Sequence, residues 1–413
     1  MVNLYIINET SRAAIYGIGT YIRELTAALK DSDIRVCEVY LHSEELAEPD
    51  NIQRLYIPSP VTGIMTKNWK IQNELYSRNV VYLLRLHIKN TENLVFHLNN
   101  YQSLKLAKEL RKSFDCKIIV TIHYFEWCFN LSGNVRRFRK ILATHEDRKR
   151  DSENDLVYES YRKEKELFEI VDKIVCLAEN AQKIMQYDYK IESNKIIVIP
   201  NGLTDMARTM PQKKLLRKKW HIPYKEKIIL FAGRIEEAKG INYLFEAFRN
   251  VLTVYPKSRL VIAGDGDFSK YSKESQDICA KITHTGFLDK TQLYEFYSLA
   301  DIGVLPSLFE TFGYVAVEMM MHALPVVATA TSGLNEVIGD ACGFKIPIIQ
   351  HPEKIEIDID SLTEKILCLL KNPAQARKMG QNGRKRFLKE YSLDIFRQNM
   401  LNFYQSLNNY ESK

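Results

Sequence analysis

Apolar residues in the first half of the chain fall in short continuous runs, each followed by a stretch of mixed apolar and polar character. The runs are NLYIINE (3–9), RVCEVYL (35–41), NLVFHLN (93–99), KIIVTIH (117–123), KIVCLA (173–178) and KIIVIPN (195–201). A strand with one wet face alternates, whereas unbroken Val and Ile mark a strand covered on both faces. The amphipathic stretches between the runs supply that cover, so the pattern predicts a parallel sheet wrapped by helices. After Pro200-Asn201-Gly202 the pattern lapses into TDMARTMPQKKLLRKKW, read as a linker. It then restarts with IILFAGR (228–234), RLVIAGDG (259–266), KITHTGF (281–287), DIGVLPS (301–307), LPVVATAT (324–331) and ACGFKIP (341–347). The fold class is therefore α/β, with two doubly wound, Rossmann-like domains at residues 1–203 and 204–391. The tail, SLDIFRQNMLNFYQSL (392–407), carries Leu393, Phe396, Met400, Phe403 and Leu407 at helical spacing. A helix over 392–413 is expected to cross back and brace the first domain.

Length and composition agree with this division. A chain of 413 residues is too long for one ordinary core, and 46% hydrophobic with 26% charged residues is the balance of a soluble globular enzyme. The opening MVNLYIINET has no basic segment leading into an apolar one, and no run approaches the roughly 20 apolar residues of a membrane span. A cytoplasmic location is expected. Seven scattered cysteines without CxxC spacing suggest neither a zinc site nor a redox pair. The net charge of +7 is uneven, because residues 133–150 hold seven Arg or Lys against two acids. That run is either a solvated helix face or a contact for an anionic acceptor or membrane surface. No basic stretch interleaves aromatics in the manner of nucleic-acid binders, so no nucleic acid is expected.

Ligands of open parallel sheets bind beyond the carboxyl ends of the strands, and two such domains are expected to leave a cleft for a two-substrate reaction. The stretch PSLFETFGYVAVE (306–318) carries Glu310 and Glu318 about a strand-to-helix entry. With a helix starting near Thr311 or Phe312, the two acids stand about 12 Å apart along its axis and about 80° around it, too far to share a proton. Free N–H groups of Phe312 and Gly313 at the dipole's positive end favour an anion, and Gly313 admits a ligand to the main chain. A nucleotide sugar fits this order, with sugar hydroxyls at Glu310, phosphates between and ribose hydroxyls at Glu318. The plainer alternative is a surface helix with a dipole-favoured Glu in its first turn.

FAGRIEEAKG (231–240) adds two cations, Arg234 and Lys239, around one loop. Arg offers phosphate a planar fork and Lys a point charge, each bond contributing about 1.5 to 3 kcal/mol. Solvated loop charges are the alternative, and the P-loop spacing is absent. YGIGTYIREL places Gly17 and Gly19 at a turn into a helix after the first run. It also raises a dinucleotide reading, with Ile22 where the third glycine belongs and Glu38 at the distance of a ribose-binding acid. His123 in TIHYFEW stands at a strand end, either to donate to a sugar hydroxyl or phosphate or as a structural group, and His97 in VFHLNN sits similarly.

In this order and at these separations, YGIGTYI, TIH, VIPNG, GRIEEAKG, AGDGD, TGF, PSLFETFGYVAVEMM and TSGLNEVI resemble the family 4 retaining glycosyltransferases of the GT-B fold. The resemblance covers about residues 3 to 345, and its most specific part is the pair of glutamates with seven residues between them together with GRxxxxKG. It implies transfer of a sugar from a nucleotide-diphosphate sugar, UDP- or GDP-linked, with retention at the anomeric carbon and with neither metal nor cofactor. Glu310 would meet the donor sugar, with Thr311 among the donor-binding residues and the amides of Phe312 and Gly313 beside sugar and phosphate. Glu318 would take the ribose, Arg234 and Lys239 the diphosphate, and Gly286-Phe287 the base. His123 would lie by the reacting sugar, with Gly17 to Gly19 at the junction of donor and acceptor. Tyr124 stands where the family often has Asp, and Asn335 where it often has Pro. The acceptor is a saccharide, lipid-linked saccharide, small molecule or peptide, with residues 61–89 and 133–150 as candidate acceptor or membrane contacts. Another GT-B activity, such as a nucleotide-sugar epimerase or sugar phosphorylase, and a non-catalytic scaffold are the rival readings.

Overall fold

Each of these apolar runs forms a strand in the computed structural model, which describes residues 1–9, 17–43, 52–59, 69–99, 103–144 and 152–407. The first sheet contains β1 (Val2–Glu9), β2 (Ile34–Leu41), β3 (Gln53–Ile57), β4 (Leu94–Leu98), β5 (Lys117–Ile122), β6 (Lys173–Cys176) and β7 (Ile196–Val198). Its order is β3-β2-β1-β4-β5-β6-β7, parallel throughout. The second sheet contains β8 (Lys227–Ala232), β9 (Ser258–Ala263), β10 (Ile282–Gly286), β11 (Ile302–Leu305), β12 (Val326–Thr329) and β13 (Gly343–Ile346). Its order is β10-β9-β8-β11-β12-β13, again parallel throughout. β4, β11 and β12 are buried at every position, which is why they read as unbroken apolar runs. β3 escapes that pattern because it is a partly exposed edge strand with Gln53 and Arg54 in five residues. A small hairpin, β14 (Ile348–Gln350) with β15 (Ile355–Ile357), is also too short to show a period.

The chain forms two compact units, one of Met1–Glu126, His145–Gly202 and Leu393–Lys413, the other of Trp127–Thr144 and Leu203–Ser392. Residues 127–144, expected with the first domain, thus pack with the second. Trp127 stacks on Phe138 at 4.3 Å and lies 6.1 Å from Phe309. Gly133, at φ 77°, covers Phe309 so closely that a Cβ would be 2.4 Å from the Phe309 Cβ. Asn134 donates to the His351 carbonyl, and Arg137 and Lys140 both face Glu353. Arg137 and Lys140 of the basic run are therefore paired within the unit, and residues 145–150 lie outside the described residues.

The expected linker is largely structured. Lys213–Lys219 is a helix, and the Arg217 guanidinium is buried, donating to the carbonyls of Leu299 and Glu226 and to Asp301 Oδ2 at 2.6 Å. Asp301 also accepts from Lys213 and from the Ile228 N–H at the start of β8. The tail helix Leu393–Ser406 packs on the helix Gly17–Leu29, as expected, and residues 408–413 lie outside the described residues. His97 locks the tail helix down. Its buried ring is bonded through Nδ1 to the Tyr404 hydroxyl and through Nε2 to the Thr121 hydroxyl, each at 2.6 Å. Its role is structural. Among the described residues no helix is long and apolar enough to cross a membrane.

Asp301→Ala is expected to destabilise the protein by about 3 to 5 kcal/mol, because it strands a buried guanidinium. Urea unfolding of the two proteins measures this, and a loss below about 1 kcal/mol would show that Arg217 finds other compensation.

Candidate functional site

The strand order of the second sheet reverses between β8 and β11, and the two loops that leave these strands are pressed together. The Leu308 N–H donates to the Ala238 carbonyl at 2.9 Å. Gly240, left-handed at φ 67°, lies so close to the other loop that a Cβ would stand 1.9 Å from the Pro306 carbonyl oxygen. No other residue type meets both conditions. From the far side the corner after β12 seats the same loop. Thr329 and Thr331 donate to the carbonyls of Ser307 and Leu308, and the Gly333 N–H donates to the Glu310 carbonyl at 2.8 Å. The backbone of 306–313 is therefore held on two sides.

This frame sets Lys239 Nζ 2.5 Å from Glu310 Oε1, with their side chains 20% and 23% exposed. The Ser307 hydroxyl donates to the same oxygen at 3.1 Å. Arg234, at the end of β8, points its guanidinium to Glu236 at 2.9 Å, a partly exposed pair of small worth that a phosphate can displace. The helix begins at Tyr314, later than the expected Thr311 or Phe312, because Gly313 turns the chain at φ 97°. The axial estimate of the separation between the glutamates therefore does not apply. The N–H groups of Thr311, Phe312 and Gly313 have no acceptor among the described residues. The Phe312 ring is buried, in edge contact with Tyr391 at 6.0 Å, so this residue offers its main chain.

Glu318 is not a surface acid. It is 1% exposed, with Lys290 Nζ on Oε1 and the Tyr297 hydroxyl on Oε2 at 2.9 Å. Burial and the Glu318 charge push the Tyr297 phenol well above its ordinary range, so it stays a donor. Neither Lys290 nor Tyr297 was singled out from sequence. The usable signal was Asp289, whose capping box with Gln292 starts the helix Lys290–Leu299 at Lys290. At the edge of the sheet Gly286 is left-handed at φ 68°, and its carbonyl already accepts from the Gly264 N–H and the Thr285 hydroxyl. Phe287 beside it is 55% exposed.

In the first unit Gly17 and Gly19 lie in the first turn of the helix Gly17–Leu29, and the preceding residues 10–16 lie outside the described residues. Glu38 does not face a ribose. It is buried and accepts from Thr26 at 2.6 Å, Tyr40 at 2.9 Å and Arg54 at 3.0 Å, which removes the dinucleotide reading. His123, after β5, is half-buried, with Nε2 3.0 Å from Asn99 Oδ1 and its ring edge-on to Tyr21 at 4.8 Å. Burial pushes its pKa down to about 3, so the imidazole is neutral. Among the described residues no group of three His, Cys, Asp or Glu side chains is arranged to hold a metal ion.

Two parallel α/β units, each with a reversal in its strand order, constitute the GT-B architecture. Residues 15–205 match the family model described as Glycosyltransferase Family 4, and residues 212–386 match that of Glycosyl transferases group 1. The chain belongs to the family 4 GT-B glycosyltransferases. Sucrose-phosphate synthase from Thermosynechococcus elongatus superposes with a TM-score of 0.78 at 20% identity over 99% of this chain and 100% of its own. HepE of Anabaena in complex with UDP-glucose does so with a TM-score of 0.74 at 14% identity over 98% and 100%. An uncharacterized glycosyltransferase of Methanocaldococcus jannaschii is 30% identical over 227 residues, 52% of this chain and 55% of that protein. The chain spans about half the length of the first curated relatives it matches.

Near His123, the Glu126 N–H donates to Glu164 Oε1 at 2.7 Å, and the Tyr189 hydroxyl holds the other oxygen. Burial still pushes this carboxyl from 4.5 up to about 8. A folded-state value above the unfolded one means that its contribution to stability is complete below about pH 4.5 and is lost as pH rises through about 8. Glu164→Gln is expected to flatten the stability profile between these limits, as read by denaturant midpoints across pH. An unchanged slope would show that the carboxyl is already ionised in the folded protein.

Proposed function

We propose that this chain transfers a sugar from a nucleoside-diphosphate sugar to an acceptor hydroxyl with retention of anomeric configuration, in glycan or glycoconjugate synthesis on the cytoplasmic side of a membrane. The observation that carries the reading is the fixed loop pair of the second unit. It presents a carboxylate, an ammonium group and three main-chain N–H groups without an acceptor among the described residues, with a second, buried carboxylate on the helix that follows. Glu310 accepts from hydroxyls of the donor sugar. Lys239 and Arg234 exchange their carboxylate partners for diphosphate oxygens, and Thr311, Phe312 and Gly313 complete that grip through their amides. Charge grows on the diphosphate as its bond to the anomeric carbon breaks, and donors already in place stabilise it without reorganisation. These protein cations take the part of a divalent ion, so EDTA leaves turnover unchanged in this reading.

Glu318 takes the ribose. Lys290 and Tyr297 each occupy one of its oxygens, and a carboxylate has about four acceptor sites, so acceptor capacity remains for two ribose hydroxyls. The complex of HepE with UDP-glucose supports UDP-glucose as a first probe. On the acceptor side, the helix Trp69–His87 leaves Leu75, Tyr82 and Leu86 exposed at spacings of seven and four residues, with Arg78 and Arg85 also exposed. Such a stripe suits a lipid-linked acceptor at an anionic surface. Residues 61–68 of this candidate region lie outside the described residues.

Arg234→Ala is expected to lower turnover by about a hundredfold or more with the unfolding midpoint unchanged. Turnover is read as UDP release from UDP-glucose and as GDP release from a GDP-sugar panel. Glu318→Ala is expected to weaken donor binding by calorimetry more than it slows bound donor, because ribose is remote from the breaking bond. Wild-type turnover in Arg234→Ala would remove the assignment.

A further inference from the structure

Asn99 follows β4, where the strand order of the first sheet reverses, and is 1% exposed. Main-chain groups set its orientation. Nδ2 donates to the carbonyls of Ile7 at 3.4 Å and His97 at 3.3 Å, and the Asn99 N–H donates to Ile7 as well, at 3.1 Å. With its amide nitrogen directed at two carbonyl oxygens, the side chain has its oxygen left for the third neighbour, His123 Nε2 at 3.0 Å. Flipping the amide would set Oδ1 against both carbonyls, oxygen against oxygen, so the main chain decides which way it points.

An amide oxygen only accepts, so the hydrogen of His123 sits on Nε2. In a neutral imidazole the other nitrogen then carries a lone pair. Nδ1 has no donor among the described residues. The neighbouring His97 is no substitute, since Tyr404 and Thr121 hold both its nitrogens.

We propose that Asn99 is a positioning residue that fixes His123 as the Nε2–H tautomer, so that Nδ1 accepts a hydrogen bond from a substrate hydroxyl. This deepens the proposed function and rests on it for the contact with substrate, whereas the tautomer stands on geometry alone. The group taken up against His123 is a sugar hydroxyl. A phosphate oxygen there would meet a lone pair, so the donation to phosphate raised by the sequence is reversed.

Long-range nitrogen–proton NMR of protein labelled with 15N-histidine reads the tautomer directly, with the His123 signals assigned from their loss in His123→Gln. Wild type is expected to show a bare Nδ1 and a protonated Nε2 that hold from about pH 6 to 8, and Asn99→Leu a mixture of tautomers. A protonated Nδ1 in wild type overturns the proposal, and this spectrum decides even where Asn99→Leu does not fold. A pure Nε2–H form retained in a folded Asn99→Leu overturns the role of Asn99. With UDP-glucose as probe, removing the one hydroxyl that meets His123 is expected to lower kcat/KM about tenfold in wild type and far less in His123→Phe. Equal losses in both proteins for every deoxy analogue overturn the hydroxyl contact. No turnover of any nucleotide sugar, with the tautomer as expected, sinks the functional reading and leaves the tautomer assignment in place.

Discussion

The contact between Gly240 and the Pro306 carbonyl is the constraint on which the second unit's site depends. It brings the loop after β8 against the loop after β11, and the Leu308–Ala238 bond and the Lys239–Glu310 pair follow from that proximity. Magnitudes decide the order of cause. A part-exposed ion pair contributes on the order of 1 kcal/mol or less, whereas a Cβ 1.9 Å from a carbonyl oxygen forces backbone to move. The fold therefore holds the charges in place, and the charges do not hold the fold. That arrangement leaves Lys239 and Glu310 able to change partners at little cost to structure.

Glu318 obeys a different balance. A carboxylate almost wholly out of water costs several kcal/mol unless it is paired, and even a paired one is often no better than an apolar side chain of similar size. A helix whose neighbouring Ala316, Val317, Met319 and Met320 are fully buried gains nothing in stability from an acid in that row. Lys290 and Tyr297 satisfy the acid without covering all of its acceptor capacity. A buried acid with capacity left over is more readily understood as a ligand group than as a structural one.

Much of this architecture was legible because burial on both faces leaves a mark on sequence. β4, β11 and β12 are apolar at each position for that reason. The misreadings share a different cause, contacts between residues far apart in the chain. Nothing in GNVRRFRK says that Gly133 must cover Phe309 or that Arg137 faces Glu353. The stretch 204–220 looked like a linker because its charge was visible, and the burial of Arg217 beside Asp301 was not. Glu38 had the spacing of a ribose ligand, yet its partner Arg54 comes from an edge strand whose pattern is too weak to read. For the loop pair, Gly, Lys and Glu at fixed separations marked the positions, whereas the ion-pair partners Glu236 and Lys290 are evident only in the folded chain.

The two units differ in how they present polarity, and the difference fits a division of labour. The second unit's site is built from full charges, Arg234, Lys239, Glu310 and Glu318, each with a partner it can share or surrender. At the first unit's strand ends His97, Asn99, Thr121 and His123 are joined with Tyr21 of the helix Gly17–Leu29 by hydrogen bonds among neutral groups. Burial keeps both imidazoles uncharged by pushing each pKa down to about 3. Neutral, oriented donors and acceptors discriminate hydroxyls well, because a buried polar group left unmatched costs more than a matched one gains. Charges discriminate little among hydroxyls but grip a diphosphate strongly. On the proposed function the second unit's charges would hold the diphosphate, while in the first unit the buried members of the neutral cluster set the orientation of His123, the half-buried one left to meet a sugar hydroxyl.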